Sequence, residues 1–372
     1  MFIVVTRNFP PDVGGIQILM GGLSENLLNH GPVKVFADQF VNSEIYDKKN
    51  SIDIERISGI KLFRKYRKAN LVNEFIKENK NIRAIFFDHW KSLELIHHEN
   101  LKKTKTLCLL HSKEINHPPG SRLNKRFLNS LNKADYIIAN SKFTKELAIR
   151  MKINKDKINI INPGINKPKK LEKIFTDKAN ILFNGSFINQ QAFPKIITIA
   201  RLEKRKNHDK ILMTLKNLLI KFPTLKYISI GEGEEKSNLS KLVNELNLQK
   251  NVVFLNNVDE KLKFSLIATS NLFLMPSIID KKSVEGFGIA FAESASYGVG
   301  SIGGKDGGAS DIILHDKTGL ICDGNDLNSI YTNILNFFTD NKYIDYGKEA
   351  KIFSEDFHWD KIVKKYLKLI NQ

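Results

Sequence analysis

Two doubly wound α/β domains are what this sequence predicts, and three observations carry that expectation. Short apolar, β-branched runs recur along the chain, with helix-length stretches between several of them. The pattern runs once, breaks, and restarts near residue 196. At 372 residues the chain is too long for one ordinary core and fits two.

In the first half MFIVVT, VKVFA, AIFFD, TLCLL, YIIAN and INIIN read as buried parallel strands, because each is a short apolar, β-branched run. In the second half IITIARL, KYISIGEG, NVVFLN, LFLMPS and VGSIGG are the strands. HDKILMTLKNLLIKF, EKSNLSKLVNELNL and KLKFSLIATS are the helical stretches between them. Residues 1–170 make the first domain and 190–350 the second. Residues 166–194, polar at first and with NGSFINQQAF near the end, read as the linker. The tail FHWDKIVKKYLKLI, residues 357–370, has apolar residues at helical spacing and predicts an amphipathic helix. Open α/β sheets bind ligands beyond the carboxyl ends of their strands, so two such domains facing one another place a site in the cleft between them.

Composition narrows the chemistry. Hydrophobic residues at 42% and charged residues at 26% describe a globular chain rather than a disordered one. No run reaches the roughly 18 apolar residues of a membrane span. The opening MFIVVTRNFPP has an apolar run too short for a signal peptide and is broken by Arg7, so a location inside the cell is expected. Cys108 and Cys322 match no metal or redox spacing and read as buried thiols. The 58 Lys and Arg against 40 acids give a formal charge of +18, compatible with nucleic acid, an anionic membrane or phosphorylated ligands. A compositional bias toward Lys, Ile and Asn explains part of it. Lysine is spread along the whole chain rather than gathered with stacking aromatics, which argues against nucleic acid.

Several short stretches fall where ligands bind. PPDVGGIQ follows the first strand, so Gly14 and Gly15 lie in the first strand-to-helix loop, where backbone amides can approach a phosphate or sugar; a tight turn is the plain alternative. In IARLEKRKNHD, Arg201 and Lys206 sit just past the first strand of the second domain, where two cations can hold a diphosphate and stabilise it as it leaves. In KKSVEGFGIAFAESASYG, residues 281–298, Glu285 stands at the mouth of a loop and the amides of Gly286, Phe287 and Gly288 are expected to be free donors opening a helix. Glu293, about six residues into that helix, would lie roughly 9 Å further along its axis at 1.5 Å per residue. That suits a carboxylate accepting from both ribose hydroxyls of a sugar nucleotide. His111 in LLHSKE ends a strand at the sheet's carboxyl edge, as a site residue or simply a strand-end histidine.

With these motifs on the page the chain resembles the family 4 retaining glycosyltransferases of GT-B fold, two Rossmann-like domains across a cleft. NFPPDVGGIQ, LLHSKE, ANSKFTKELA, NPGIN, IARLEKRKNHDK, GEGEE, LMPS, SVEGFGIAFAESASYG and GGASDIILHDKTGLI occur in family order, over nearly the whole length. The FPPDVGGIQ opening and the step from Arg201 to Lys206 look most like the phosphatidylinositol mannoside mannosyltransferases and similar glycolipid-forming members. The resemblance implies an N-terminal acceptor-binding domain, a C-terminal nucleotide-sugar-binding domain, and a final helix, residues 355–372, crossing back to the first domain. It implies that Arg201 and Lys206 bind the donor diphosphate and Glu293 the ribose. Glu285 and the amides of Gly286, Phe287 and Gly288 would hold the donor sugar. Gly15 would face the phosphates or acceptor, and His111 the reacting sugar. One departure stands out, in that Asn207 and His208 replace the usual glycine after the lysine.

The implied reaction is a hexosyl or uronosyl transfer from a UDP- or GDP-sugar with retention. No metal or other cofactor is expected, since no Asp-x-Asp pair occurs and the two cations can do a divalent ion's work. For the acceptor, residues 61–80 concentrate Lys61, Arg64, Lys65, Arg67 and Lys68 beside Leu62, Phe63 and Tyr66. Basic residues with exposed aromatics describe a contact for anionic lipid, so a membrane lipid acceptor and a peripheral position on the inner face of the cytoplasmic membrane are expected. A solvated charged helix and a soluble sugar or polysaccharide precursor are the corresponding alternatives.

Overall fold

Thirteen strands among the described residues form two parallel sheets, in a computed structural model that describes residues 1–185 and 190–372. The first sheet contains β1 (Phe2–Val5), β2 (Val33–Asp38), β3 (Asp53–Ile57), β4 (Ala84–Phe87), β5 (Lys105–Leu110), β6 (Tyr136–Ala139) and β7 (Ile158–Ile160), in the order β3-β2-β1-β4-β5-β6-β7. The second contains β8 (Lys195–Ile199), β9 (Lys226–Ile230), β10 (Val252–Leu255), β11 (Leu272–Met275), β12 (Ser301–Gly304) and β13 (Gly319–Cys322), in the order β10-β9-β8-β11-β12-β13. The chain divides into two compact units, Met1–Asn166 with Phe357–Gln372, and Lys167–Asp356. Each is doubly wound, as the strand pattern led us to expect. Strand order reverses between β1 and β4 in one unit and between β8 and β11 in the other, and ligands in such sheets bind at that reversal.

The mostly apolar runs are explained by helices on both faces. Along β1, Ile3 and Val5 enter one core with Phe87, Trp90 and Phe127, while Phe2 and Val4 enter the other with Phe86 and Leu109. Two strands escaped the sequence reading. DIERI, which is β3, and GLIC, which is β13, both lie at sheet edges, where β3 is only partly buried and tolerates charged residues. Cys108 and Cys322 are buried and unbridged.

The proposed linker at 166–194 needs correction. It contains a helix, Lys173–Asn184, that packs in the second unit against the helix Glu260–Thr269 and buries Ala179 and Phe183. With so few buried positions its sequence lacks a strong apolar stripe. Part of NGSFINQQAF, residues 186–189, lies outside the described residues.

The tail helix Trp359–Ile370 belongs to the first unit and buries Trp359, Ile362, Val363, Tyr366 and Ile370. The Trp359 ring fits only because two neighbours are glycine: a Cβ on Gly22 or on Gly164 would come within 2.4 Å of it. Backbone bonds from Ile165 N to Phe357 O at 2.8 Å and from Trp359 N to Ile165 O at 3.1 Å fix the entry to this helix.

Candidate functional site

The second unit carries a cluster of buried charges at its strand reversal. The chain leaves β8 at Ile199 and turns through a short 3-10 segment, Lys204–Lys206, into the helix His208–Leu218. That turn is laced to the exit of β11, because Ile278 N donates to Arg205 O at 2.9 Å and Asn207 Nδ2 donates to Pro276 O at 2.9 Å and to Gly324 O at 2.7 Å. Asn207 has φ 65°, ψ 33°, left-handed backbone that glycine or asparagine adopts at least cost. The replacement of glycine at this position therefore keeps the turn and adds two hydrogen bonds.

Glu285 reaches this turn from the loop after β11. Its Oε2 accepts from Lys206 Nζ and from Arg205 Nη1, the latter at 2.8 Å. Lys206 also approaches Met275 Sδ at 3.3 Å. The backbone of the loop is pinned too, since Gly308 N donates to Glu285 O at 2.9 Å, and Gly307, at φ 106°, has no room for a Cβ, which would lie 2.4 Å from that same oxygen. Burial opposes ionisation of Glu285, yet Lys206 and Arg205 outweigh it and hold its pKa at about 2. Burial lowers the pKa of Lys206, with Glu285 offsetting this only in part and Arg205 adding to it. The ionised carboxylate is the firmer of the two states because it has two cationic partners, whereas the cations share one oxygen. His208, buried beside Lys206, is held neutral by burial and by that ammonium, with its pKa at about 3; neither ring nitrogen has a hydrogen-bond partner among the described residues.

Arg201 is not in the cluster but next to it. Its side chain is 67% exposed and meets Glu203 Oε1 at 2.7 Å, while Glu203 Oε2 accepts from Arg205 Nε at 3.1 Å. The structure thus brings Lys206 and Glu285 together, and inserts two residues that sequence reading missed, Arg205 and Glu203. Within EKRK nothing but the fold distinguishes the inward side chains from the exposed Lys204.

The helix expected to open at 286 begins at Ile289 and ends at Ser296, with Gly288 as its cap at φ 86°. Gly286 and Phe287 precede the helix, and the Phe287 side chain is buried. The glycines let the chain turn rather than wind, so the estimate of 9 Å along a continuous helix does not apply. Glu293, on the helix, pairs with Lys263 at 3.0 Å, and that ammonium also lies over the Phe264 ring at 4.3 Å. A lysine from the helix Glu260–Thr269 therefore already compensates this acid. It lies thirty positions away in sequence, and no local pattern points to it.

In the first unit Gly15 is the first residue of the helix Gly15–Leu27 and is exposed. His111 follows β5. Its Nε2 lies 2.7 Å from Asp88 O, and since a carbonyl only accepts, Nε2 donates; in the neutral imidazole Nδ1 is then the acceptor. Glu114 Oε1 accepts from His111 N. Asp88 is itself fixed by Thr6 Oγ1 at 2.8 Å, Arg7 N at 2.9 Å and Ser92 Oγ at 2.7 Å.

The basic segment divides on inspection. The helix runs Lys61–Glu78, and Lys61 is exposed on it, while Lys65, half-buried, lies 4.7 Å over the Tyr66 ring. Arg64 donates to Gly59 O at 2.7 Å and to Gln39 O at 3.3 Å, and Arg67 donates to Ser58 O. Lys68 cannot be a surface contact. It is buried, and its ammonium bonds to Asp38 Oδ1 at 2.5 Å and Thr6 O at 2.6 Å, because its position on the helix faces the sheet. Among the described residues no helix is long and apolar enough to cross a membrane, and no group of His, Cys, Asp and Glu is placed to hold a metal ion.

Two doubly wound units with buried cations at a strand reversal suit a protein that binds phosphorylated ligands, and comparison with known proteins narrows the class. Residues 185–353 match the family described as Glycosyl transferases group 1, and residues 13–167 match Glycosyltransferase Family 4. The two matches together span most of the chain, which is a glycosyltransferase. It is 23% identical over 347 residues to a GDP-mannose-dependent α-(1-6)-phosphatidylinositol monomannoside mannosyltransferase of Mycolicibacterium smegmatis, covering 91% of this chain and 89% of that one. It is 24% identical over 348 residues to a GDP-mannose-dependent monoacylated α-(1-6)-phosphatidylinositol monomannoside mannosyltransferase of Corynebacterium glutamicum, covering 91% of this chain and 88% of that one. Anabaena HepE in complex with UDP has the same fold, with a TM-score of 0.81 at 17% identity over 100% of this chain and 99% of that one. Sucrose-phosphate synthase of Thermosynechococcus elongatus superposes with a TM-score of 0.76 at 18% identity, over 100% of this chain and 98% of that one.

Proposed function

We propose that this glycosyltransferase moves a hexose or uronic acid from a UDP- or GDP-sugar to a membrane lipid acceptor, with retention and without a metal ion. The observation that carries the donor site is the Lys206–Glu285–Arg205 cluster at the strand reversal of the second unit. Lys206 and Arg201 would neutralise the diphosphate as it leaves, the charge stabilisation a divalent ion supplies in other enzymes. Glu285, held ionised, would accept from hydroxyls of the donor sugar. Glu293 would accept from the ribose by exchanging part of its pairing with Lys263. The amides of Gly286, Phe287 and Gly288 and of Gly15 would hold oxygens of the donor or acceptor. His111, with Nδ1 as acceptor, would stand by the reacting sugar.

The relatives named as phosphatidylinositol monomannoside mannosyltransferases support a lipid acceptor and favour GDP-mannose as the first donor to try. Peripheral binding at the inner face of the cytoplasmic membrane is supported by Lys61 and Lys65 together with the exposed Ile60, Leu62 and Phe63 beside them. The decisive experiment incubates the purified protein with lipid extract and a panel of UDP- and GDP-sugars and reads products by mass. A glycolipid with the donor's anomeric configuration, formed in chelator, is the expected result. A glycosylated soluble sugar would move the acceptor to a polysaccharide precursor, an altered sugar nucleotide with no acceptor attached would indicate an epimerase, and no turnover with any donor would overturn the proposal. Arg201→Ala should lower turnover more than it weakens nucleotide binding.

A further inference from the structure

We infer that Arg205 is a positioning residue of the donor site, which together with Lys206 clamps Glu285 by a single carboxylate oxygen and leaves the other for a sugar hydroxyl. Both bonds go to Oε2, from Arg205 Nη1 at 2.8 Å and from Lys206 Nζ, and Oε1 has no partner among the described residues. An ammonium is a point charge on a flexible stem and leaves a carboxylate free to swivel, whereas a planar guanidinium fixes the direction of approach. Two donors converging on one oxygen therefore set where the other points. The guanidinium is itself fixed, because Glu203 Oε2 accepts from its Nε at 3.1 Å, and Arg205 O accepts from Ile278 N in the segment that leads to Glu285.

Arg201, Glu203, Arg205, Glu285 and Lys206 so form a chain of alternating charges. Glu203 uses one oxygen for exposed Arg201 and the other for Arg205, and this ties Arg201 to the cluster before any diphosphate arrives. The inference rests on the assignment of Glu285 to the donor sugar, and its experiment separates the two claims.

Arg205→Met, Arg205→Lys and the exposed-neighbour control Lys204→Met are compared with the parent by calorimetric titration with UDP and GDP, by the pH profile of kcat/KM with the donor that turns over, and by thermal unfolding between pH 2 and 6. Arg205→Met should keep nucleoside diphosphate affinity within about threefold, lower turnover at least tenfold, and move the acid limb of kcat/KM upward by about one pH unit. Arg205→Lys should restore part of the turnover, and Lys204→Met should match the parent throughout. Thermal unfolding reads the clamp without substrate: Arg205→Met should begin to lose stability at a higher pH than the parent as acid is added. An unshifted onset in Arg205→Met, an unshifted acid limb, or affinity lost as steeply as turnover would overturn the inference. A shifted onset in a protein that binds neither nucleotide would leave the clamp standing and remove the donor-site assignment instead.

Discussion

Residues 61–68 and 201–208 carry nearly the same inventory: Lys61, Arg64, Lys65, Arg67 and Lys68 in one, Arg201, Lys204, Arg205 and Lys206 in the other. In the second segment two of four cations turn inward onto Glu285, and every charge among Arg201, Glu203, Arg205 and Lys206 has an opposite partner. In the first, Lys68 alone turns inward, and Leu62 and Phe63 are left 70% and 54% exposed. Charge density does not separate them. What separates them is whether the helix or turn presents the side chain to the sheet, where an ammonium must find a partner, or to solvent, where it need not.

The sharpest way to break this contrast is to remove Glu285. Glu285→Ala leaves Lys206 buried without its carboxylate and should cost roughly 3 to 5 kcal/mol of stability, read by denaturant unfolding. The same pairing fixes a pH window. The folded pKa of Glu285 is held at about 2, below its value in the unfolded chain, so its stabilisation is full above about pH 5 and is lost as pH falls toward 2. The parent should lose stability across that window, and Glu285→Gln should lose less.

Lys68 sharpens the comparison from the other side, since it should behave like Lys206 rather than like its neighbours. Lys68→Gln strips Asp38 and Thr6 O of a charged hydrogen bond and should cost on the order of 2 kcal/mol, whereas Lys61→Gln and Lys65→Gln should stay within about 0.5 kcal/mol. Next in size is vesicle binding. Each basic residue at an anionic bilayer contributes roughly 1 kcal/mol, so the double change of Lys61 and Lys65 to Gln should weaken binding to phosphatidylserine vesicles about 30-fold. The difference should shrink with added salt, and sugar-nucleotide affinity should not change. Equal pelleting of parent and variant would reduce this segment to a solvated helix. A smaller effect than at Lys68 is expected for Asn207→Gly. Asn207→Gly keeps the left-handed turn but gives up the bonds to Pro276 O and Gly324 O, for about 1 kcal/mol, and Asn207→Ala should cost about 1 kcal/mol more for the backbone.

Much of the molecule was legible before folding. Eleven of the strands were visible as short, mostly apolar runs, since a parallel strand covered on both faces has little polar side to show. Gly14, Gly15 and Glu285 were visible because loops at strand ends carry residues that strands avoid, and Glu293 because an acid stands out in an otherwise apolar and small-residue helix. The edge strands β3 and β13 were not, being short or partly exposed, and neither was the helix Lys173–Asn184, which buries too little to leave a stripe.

The sequence by itself determined the alternation of strand and helix, and with it two doubly wound units whose strand ends carry Arg201, Lys206, Glu285 and His111. It did so because hydrophobic periodicity is a local property. Only the tertiary structure decided that Arg205 joins Lys206 on Glu285, that Lys263 answers Glu293, that Lys68 faces Asp38 and that Trp359 lies against Gly22 and Gly164. Each of these pairs residues from separate elements, and the partner of a buried charge or ring is set by which elements pack together, which no stretch of chain records on its own.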